Sequence, residues 1–295
     1  PDLLGDAVIA AAGDNACAPG DGDFNDGLGD NGRCFHKYVA DTIYSDFDNV
    51  DRVLPLGDIQ YESGAYSDFL TSYHQSWAKL RSKTSPVLGN HESNGNGYFD
   101  YFNGVGMTSG VAGTRGEGWY SFETGDAANT GWHIVALNSE CAGEVCNAEQ
   151  LAWLEAELTT SKKPCTLAYW HKPRFSSGAH GDAVSLAPLW DLIHRYGGEI
   201  VLSGHDHNYE RFAPQNTAGE VDPAFGVRQF VVGTGGKGFR SINPGPNSEA
   251  SNADTHGFLE LTLQANSYDW RFVPALQNGN GTFTDSGTRA CHAQQ

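Results

Sequence analysis

Seven polar residues in this chain have types and spacings that suit one kind of chemistry: Asp14, Asp58, Asn90, His91, His171, His205 and His207. Two carboxylates, an amide oxygen and three ring nitrogens from such a set suit borderline divalent or trivalent transition metals. Calcium prefers an all-oxygen shell. The donors are too many for a single tetrahedral zinc and the right number for two metals sharing a bridging aspartate. Two metals roughly 3.5–4 Å apart clamp a phosphoryl group for in-line displacement. The His205-x-His207 pair alone would carry little weight, because histidines also sit in ordinary cores; the matching donors elsewhere give it meaning.

Such donors must converge, so the elements before them matter. Short apolar runs at 7–12, 52–56, 86–88, 133–137, 166–170 and 200–202 read as strands. They lead respectively into Gly13-Asp14, Gly57-Asp58, Gly89-Asn90-His91-Glu92, Asn138-Ser139, His171 and Gly204-His205-Asp206-His207. Helical patterns lie between them at 41–47, 67–83, 150–163 and 186–196. In the third, Asn147 is placed to N-cap, with Gln150 reaching back and Leu151, Leu154 and Leu158 forming one stripe. The fourth ends at Gly197-Gly198, a C-cap. Alternating strands and helices predict an α/β core of largely parallel strands, whose carboxyl ends are where ligands bind. After residue 225 the pattern turns to strands, at 228–232, with a hairpin of 258–263 and 268–273. Neither a repeat nor a linker interrupts the chain, so residues 1–295 read as a single domain.

At 295 residues, with 39% hydrophobic and 12% aromatic content, the chain has the composition of a globular protein with a large core. Its 36 acidic against 18 basic residues, a net charge of −18, disfavour nucleic acid and anionic membranes as partners. No apolar run approaches the roughly 18 residues of a membrane span. A small phosphorylated substrate remains compatible where metal ions supply local positive charge. Pro1 at the start, with Met107 the only methionine, suggests a mature form with its leader removed, or a trimmed chain.

The six cysteines form no Cys-x-x-Cys, and their even number points to disulfides in an oxidising compartment. The expected pairs are Cys17–Cys34, Cys141–Cys146 and Cys165–Cys291. The acidic stretch from Asp21 to Gly27 lacks the glycine and glutamate of a calcium loop and reads as a solvated surface loop. Gly233-Thr234-Gly235-Gly236-Lys237-Gly238 matches neither phosphate-loop nor dinucleotide spacing and reads as a turn near the site. Asn280-Gly281-Thr282 is a lone glycosylation sequon.

Taken together, Gly13-Asp14, Gly57-Asp58-Ile59-Gln60-Tyr61, Gly89-Asn90-His91-Glu92, His171 and Gly204-His205-Asp206-His207 resemble the five motifs of calcineurin-like metallophosphoesterases. The resemblance implies a four-layer αββα sandwich of two mixed β-sheets flanked by helices. Most members carry a histidine two residues after the first aspartate, where this chain has Ala16. Purple acid phosphatases lack it too and place a tyrosine three residues after the second aspartate, as Tyr61 is placed here. The chain therefore resembles that branch, although Asn15 departs from its common pattern. On this resemblance Asp14, Tyr61 and His207 would hold a first metal, Fe3+ by the hardness of the phenolate. Asp58 would bridge, and Asn90, His171 and His205 would hold Fe2+, Zn2+ or Mn2+. His91, His180 and Asn90 would be the catalytic residues, with His91 as general acid and Glu92 orienting it or raising its pKa. Asp206 should point away from the metals, and the six remaining histidines are left structural. The activity implied is hydrolysis of phosphate monoesters by a metal-bound hydroxide. A phosphodiesterase or nucleotidase using the same centre is the alternative. The setting is secreted, extracellular or periplasmic, with the oligomeric state open.

Overall fold

Side-chain alternation along β1 (Ala7–Ala12) decides the layering. Ala7, Ile9 and Ala11 face one buried cluster and Ala10 and Ala12 another, so the strand is buried on both sides. The computed structural model describes residues 5–92, 95–125, 130–141, 145–276 and 279–292. The remaining strands are β2 (Arg52–Pro55), β3 (Ser109–Gly110), β4 (Gly113–Thr114), β5 (Tyr120–Glu123), β6 (Trp132–Ala136), β7 (Cys165–Tyr169) and β8 (Ile200–Ser203). After these come β9 (Tyr209–Phe212), β10 (Arg228–Val232), β11 (Ser248–Asn252), β12 (Gly257–Leu263), β13 (Ser267–Pro274) and β14 (Ser286–Ala290). One sheet runs in the order β14-β13-β12-β1-β2 and the other in the order β11-β9-β10-β8-β7-β6-β5. β3 and β4 form a separate small hairpin.

Both large sheets are mixed. β1 and β2 are parallel, as are the neighbours among β6, β7, β8 and β10, while the edge strands β5, β11 and β14 and the late β12–β13 hairpin are antiparallel. The sheets pack face to face through Ile9, Leu54, Ile134, Leu167, Leu202, Phe230 and Leu261. Outside the first sheet lie α1 (His36–Ser45), a continuous helical stretch, and α4 (Asn96–Phe102). That stretch comprises α2 (Tyr66–Asp68), a π turn over Phe69–Tyr73, α3 (His74–Trp77) and a 3-10 segment over Ala78–Lys83. Outside the second sheet, α5 (Val145–Thr160) and α6 (Ala187–Arg195) bury Leu154, Leu158, Leu189, Trp190 and Ile193. This is the αββα sandwich expected.

The strand ends of the two sheets meet. Gly13 N–H donates to Val232 O at 2.9 Å, tying the end of β1 to the end of β10. A Cβ on Gly204 would stand 2.8 Å from an Asp14 carboxylate oxygen and 3.0 Å from Leu56 O, so only glycine allows this approach.

Some local expectations shift. Residues 86–88 form no strand: Ser85 N–H and Val87 N–H donate to β2, giving isolated bridges. Pro86 between them has no N–H with which to extend the sheet beyond this edge. Helix α5 begins at Val145, so Asn147 is not its cap. The Gln150 amide instead spans the backbone of Asn138, accepting at 2.7 Å and donating at 3.0 Å. Helix α6 ends as read, with Gly197 at φ +72° and Gly198 N–H reaching Ile193 O. The Asn280 amide of the sequon donates to His256 O and Ala275 O, so in the folded protein it is already engaged. Disulfides join Cys17 to Cys34 and Cys165 to Cys291; the Cys141–Cys146 pairing depends on a side chain outside the described residues.

Candidate metal centre

Three of the expected ligands sit in left-handed backbone that only glycine adopts freely: Asp14 at φ +59°, Asp58 at +46° and His205 at +71°. Each follows a glycine just past a strand end, and the sharp turn aims the side chain back across the strand ends. Strain of this kind persists where surrounding structure over-determines it, and it clusters at functional sites.

The donors form two groups around two atoms. Tyr61 Oη lies 2.9 Å from Asp14 Oδ1, 3.1 Å from His207 Nε2 and 3.3 Å from Asp58 Oδ2. His171 Nε2 lies 3.2 Å from Asn90 Oδ1, 3.2 Å from His205 Nδ1 and 3.3 Å from Asp58 Oδ2. Asp58 Oδ2 thus belongs to both groups. Its other oxygen accepts from His91 N–H at 2.9 Å, which fixes the carboxylate's orientation.

Outer contacts settle which ring nitrogen faces inward. His171 Nδ1 donates to Leu56 O at 2.8 Å and His207 Nδ1 to Gly238 O at 2.7 Å. A carbonyl only accepts, so Nδ1 of each ring carries a proton and Nε2 is the nitrogen turned toward the centre. Asp14 Oδ2 accepts from His205 N–H at 2.7 Å, so the two strand ends orient each other's side chains.

The donor set is electrostatically built for cations. Asp14, Asp58, Tyr61 and His171 are all buried. Burial opposes ionisation of both aspartates, but neighbouring histidines override it and hold both carboxyls below the usual range, chiefly His207 for Asp14 and His171 for Asp58. Burial likewise opposes the His171 imidazolium, yet the Asp58 charge raises it to about 10. Burial and the charges of Asp14 and Asp58 push the Tyr61 phenol well above its ordinary value. A phenol in that setting ionises only when a strong cation displaces its proton. The residues present therefore fit two metal ions, the first on oxygen-rich Asp14, Tyr61 and His207, the second on Asn90, His171 and His205.

His91 and His180 flank the centre without joining it. The His91 ring lies 4.3 Å from the Tyr61 ring, its Nδ1 donates to Glu62 O, and Nε2 stands 3.8 Å from Asp58 Oδ2. His180 stacks on His205 with centroids 4.2 Å apart. Its Nδ1 lies 3.0 Å from Asp206 Oδ1, which also accepts the His180 N–H. Their side chains are 26% and 33% exposed, so both can meet an incoming molecule. The Asp206 carboxylate accepts from Ser176 and His180.

Glu92 differs from its expected role. It accepts from Gln60 N–H at 2.8 Å and Gly89 N–H at 2.9 Å, pinning the loops that carry Tyr61 and Asn90. Burial and the Asp58 charge raise its pKa to about 8. Gln60 went unnoticed in sequence although it stands inside a quoted motif. Its amide accepts from Tyr73 N–H at 3.0 Å, a donor in the widened π turn, and donates to Cys17 O and Tyr61 O. The Gly233–Gly238 turn does border the centre, and the acidic loop before it is engaged through Asp21, 3.0 Å from Lys237 Nζ. Cys17, Asp21 and Cys34 also cluster, but both sulfurs are spent in the disulfide.

The family model for calcineurin-like phosphoesterase matches residues 20–209. Acid phosphatase type 7 of Mus musculus is 28% identical over 221 residues, covering 65% of this chain and 47% of that protein. Purple acid phosphatase 15 of Arabidopsis thaliana is 29% identical over 245 residues, covering 71% and 44%. The chain thus spans about half the length of these curated relatives. A purple acid phosphatase structure from yellow lupin (Lupinus luteus) seeds superposes with a TM-score of 0.77 at 21% identity, covering 99% of this chain and 55% of that one.

Proposed function

Because this chain belongs to the calcineurin-like phosphoesterase family and is similar to its purple acid phosphatases, we propose that its centre hydrolyses phosphate monoesters. The observation that carries the reading is Asp58 Oδ2, 3.3 Å from both Tyr61 Oη and His171 Nε2, where one oxygen can serve two metals. When bound, the pair would neutralise charge on the phosphoryl oxygens and lower the pKa of water to make a nucleophile near neutral pH. We place Fe3+ with Asp14, Tyr61 and His207, since phenolate and carboxylate are hard donors. Fe2+, Zn2+ or Mn2+ goes with Asn90, His171 and His205.

The chain's own residues do the rest. Asn90 and His171 orient the second group through their mutual contact. His91, held by Glu62 O at Nδ1, presents Nε2 to the leaving oxygen and gives it a proton. His180, oriented by Asp206 at Nδ1, presents its other nitrogen to a phosphoryl oxygen. The two described disulfides support placement in an oxidising setting, secreted or periplasmic.

Metal analysis, a visible spectrum and rates on a chromogenic monoester and its bis-ester test this. Two metals per chain, a violet band lost in Tyr61→Phe, and faster monoester cleavage are expected. His91→Ala should lower kcat about 100-fold or more with metal content unchanged. Faster bis-ester cleavage would assign a phosphodiesterase instead, and colourless, iron-free active protein would refute the ferric assignment.

A further inference from the structure

Lys237 lies between two glycines whose backbones ordinary residues could not follow. Gly236 is at φ +139° and Gly238 at +133°. A Cβ on Gly236 would come within 2.4 Å of His36 N, and one on Gly238 within 2.8 Å of the Arg33 side chain. This path ties the lysine to the candidate centre, since Lys237 N–H donates to Asp14 O at 3.0 Å. Its side chain turns inward. Only 7% of the residue is exposed, and Nζ stands 4.6 Å above the centre of the Tyr61 ring. Asp21 Oδ2 at 3.0 Å and Glu62 Oε1 at 2.5 Å complete its surroundings.

An ammonium this deeply covered costs desolvation energy that partners must offset. A clamp joining Asp21 to Glu62 alone would not require the ring, because two long carboxylate side chains can meet a lysine in solvent. Here the charge rests on the face of one particular aromatic residue, the one whose hydroxyl meets Asp14, Asp58 and His207. A cation on a ring face is attracted to its electrons, and the attraction grows when the ring carries phenolate charge.

We propose that Lys237 is a positioning residue for the first metal group, holding Tyr61 in place and weakening its phenolate as a donor. The proposal rests on the reading that Tyr61 binds a ferric ion. In that complex the visible band moves an electron from phenolate to iron. Lys237 lies on the ring side, so its charge stabilises the filled phenolate orbital more than the metal orbital and raises the transition energy. Without that charge, Glu62 and Asp21 face the ring with only Arg33, 3.9 Å from Asp21, to offset them, and the transition energy falls.

The test is the visible spectrum of the iron-loaded protein with iron content measured alongside. Lys237→Met should move the band to longer wavelength by about 10 nm or more, the scale of losing one unit charge near a partly screened donor. Lys237→Arg, which keeps the charge, should leave it near the wild-type position. Glu62→Gln alters a largely exposed side chain and folds even if the lysine variant does not. It leaves the ammonium less compensated and should move the band to shorter wavelength. A wild-type band that stays in place in both Lys237→Met and Glu62→Gln, or a Glu62→Gln shift to longer wavelength, overturns the proposal while leaving the ferric reading intact. A wild-type protein that binds iron without any such band overturns both.

Discussion

Buried ionisable groups in this chain fall into two kinds, and the difference lies in what surrounds each residue. Those at the candidate centre are paired or aimed at one another, as Asp14 is with His207 and Asp58 with His171. Glu199 is of the other kind. It is buried just before β8, accepts from His292 N–H at 2.5 Å, and one of its oxygens has no hydrogen-bond partner among the described residues. Burial raises its pKa from the ordinary 4.5 to about 7. A carboxyl whose folded pKa is raised favours the folded state fully below pH 4.5, and that contribution is lost as pH rises through about 7. Glu199→Gln removes the titration while keeping an acceptor for His292. The variant should match wild type near pH 4 and exceed it by roughly 3 kcal/mol at pH 8, less where water reaches the pair. Urea unfolding at the two pH values measures this, and an equal difference at both would refute the assignment.

At the scale of elements, the centre depends on turns that leave no room. Gly89 precedes Asn90, and a Cβ there would fall 2.2 Å from Asp58 N and 2.3 Å from Asp58 Oδ1. The contact is with the backbone and the buried carboxylate of Asp58, neither of which can step aside. Gly89→Ala should therefore displace Asp58 and cost about 1–3 kcal/mol. It should also abolish binding of the second metal, read by metal content per chain. Full occupancy in the variant would show that the loop can shift as a body. Helical expectations were good here where an apolar stripe faces a sheet, as with Leu154, Leu158 and Ile193. β9 was missed, since its Glu210 is buried and accepts from Ser177 N–H, breaking the apolar pattern that marks a strand. α4 was missed too: Gly97 within it packs against Gly64 O, and a glycine there reads as a loop.

Across the whole molecule, the face shared by the two sheets draws residues from Ala7 to Phe272. We propose that residues 1–295 act as one folding unit, because neither sheet buries its inner face without the other. Denaturation followed by fluorescence and by circular dichroism should give coincident single transitions; two separated transitions would divide the chain into domains. The Cys165–Cys291 bond closes 126 residues and joins β7 to the end of the chain, whereas Cys17–Cys34 closes 17. Loop-closure entropy makes the long bridge worth about 5 kcal/mol and the short one about 3. Paired Cys→Ser replacements should preserve that order in thermal stability.

The sequence by itself determined the donor types, their order along the chain and their places just past strand ends. Those properties depend on local pattern, and glycine beside an acid or a histidine after an apolar run is visible without a fold. Tyr61 entered only through the resemblance to purple acid phosphatases, and the fold sets its hydroxyl beside Asp14, Asp58 and His207. Only the tertiary structure decided that Asp58 Oδ2 touches both groups and that Glu92 braces backbones instead of His91. It also set Gln60 in the π turn and the Lys237 ammonium over the Tyr61 ring. Most of these contacts join segments 13 to 176 residues apart, and the rest depend on which oxygen of a carboxylate turns inward. Such choices are made when two sheets bring their strand ends together and burial penalises a polar atom left without a partner.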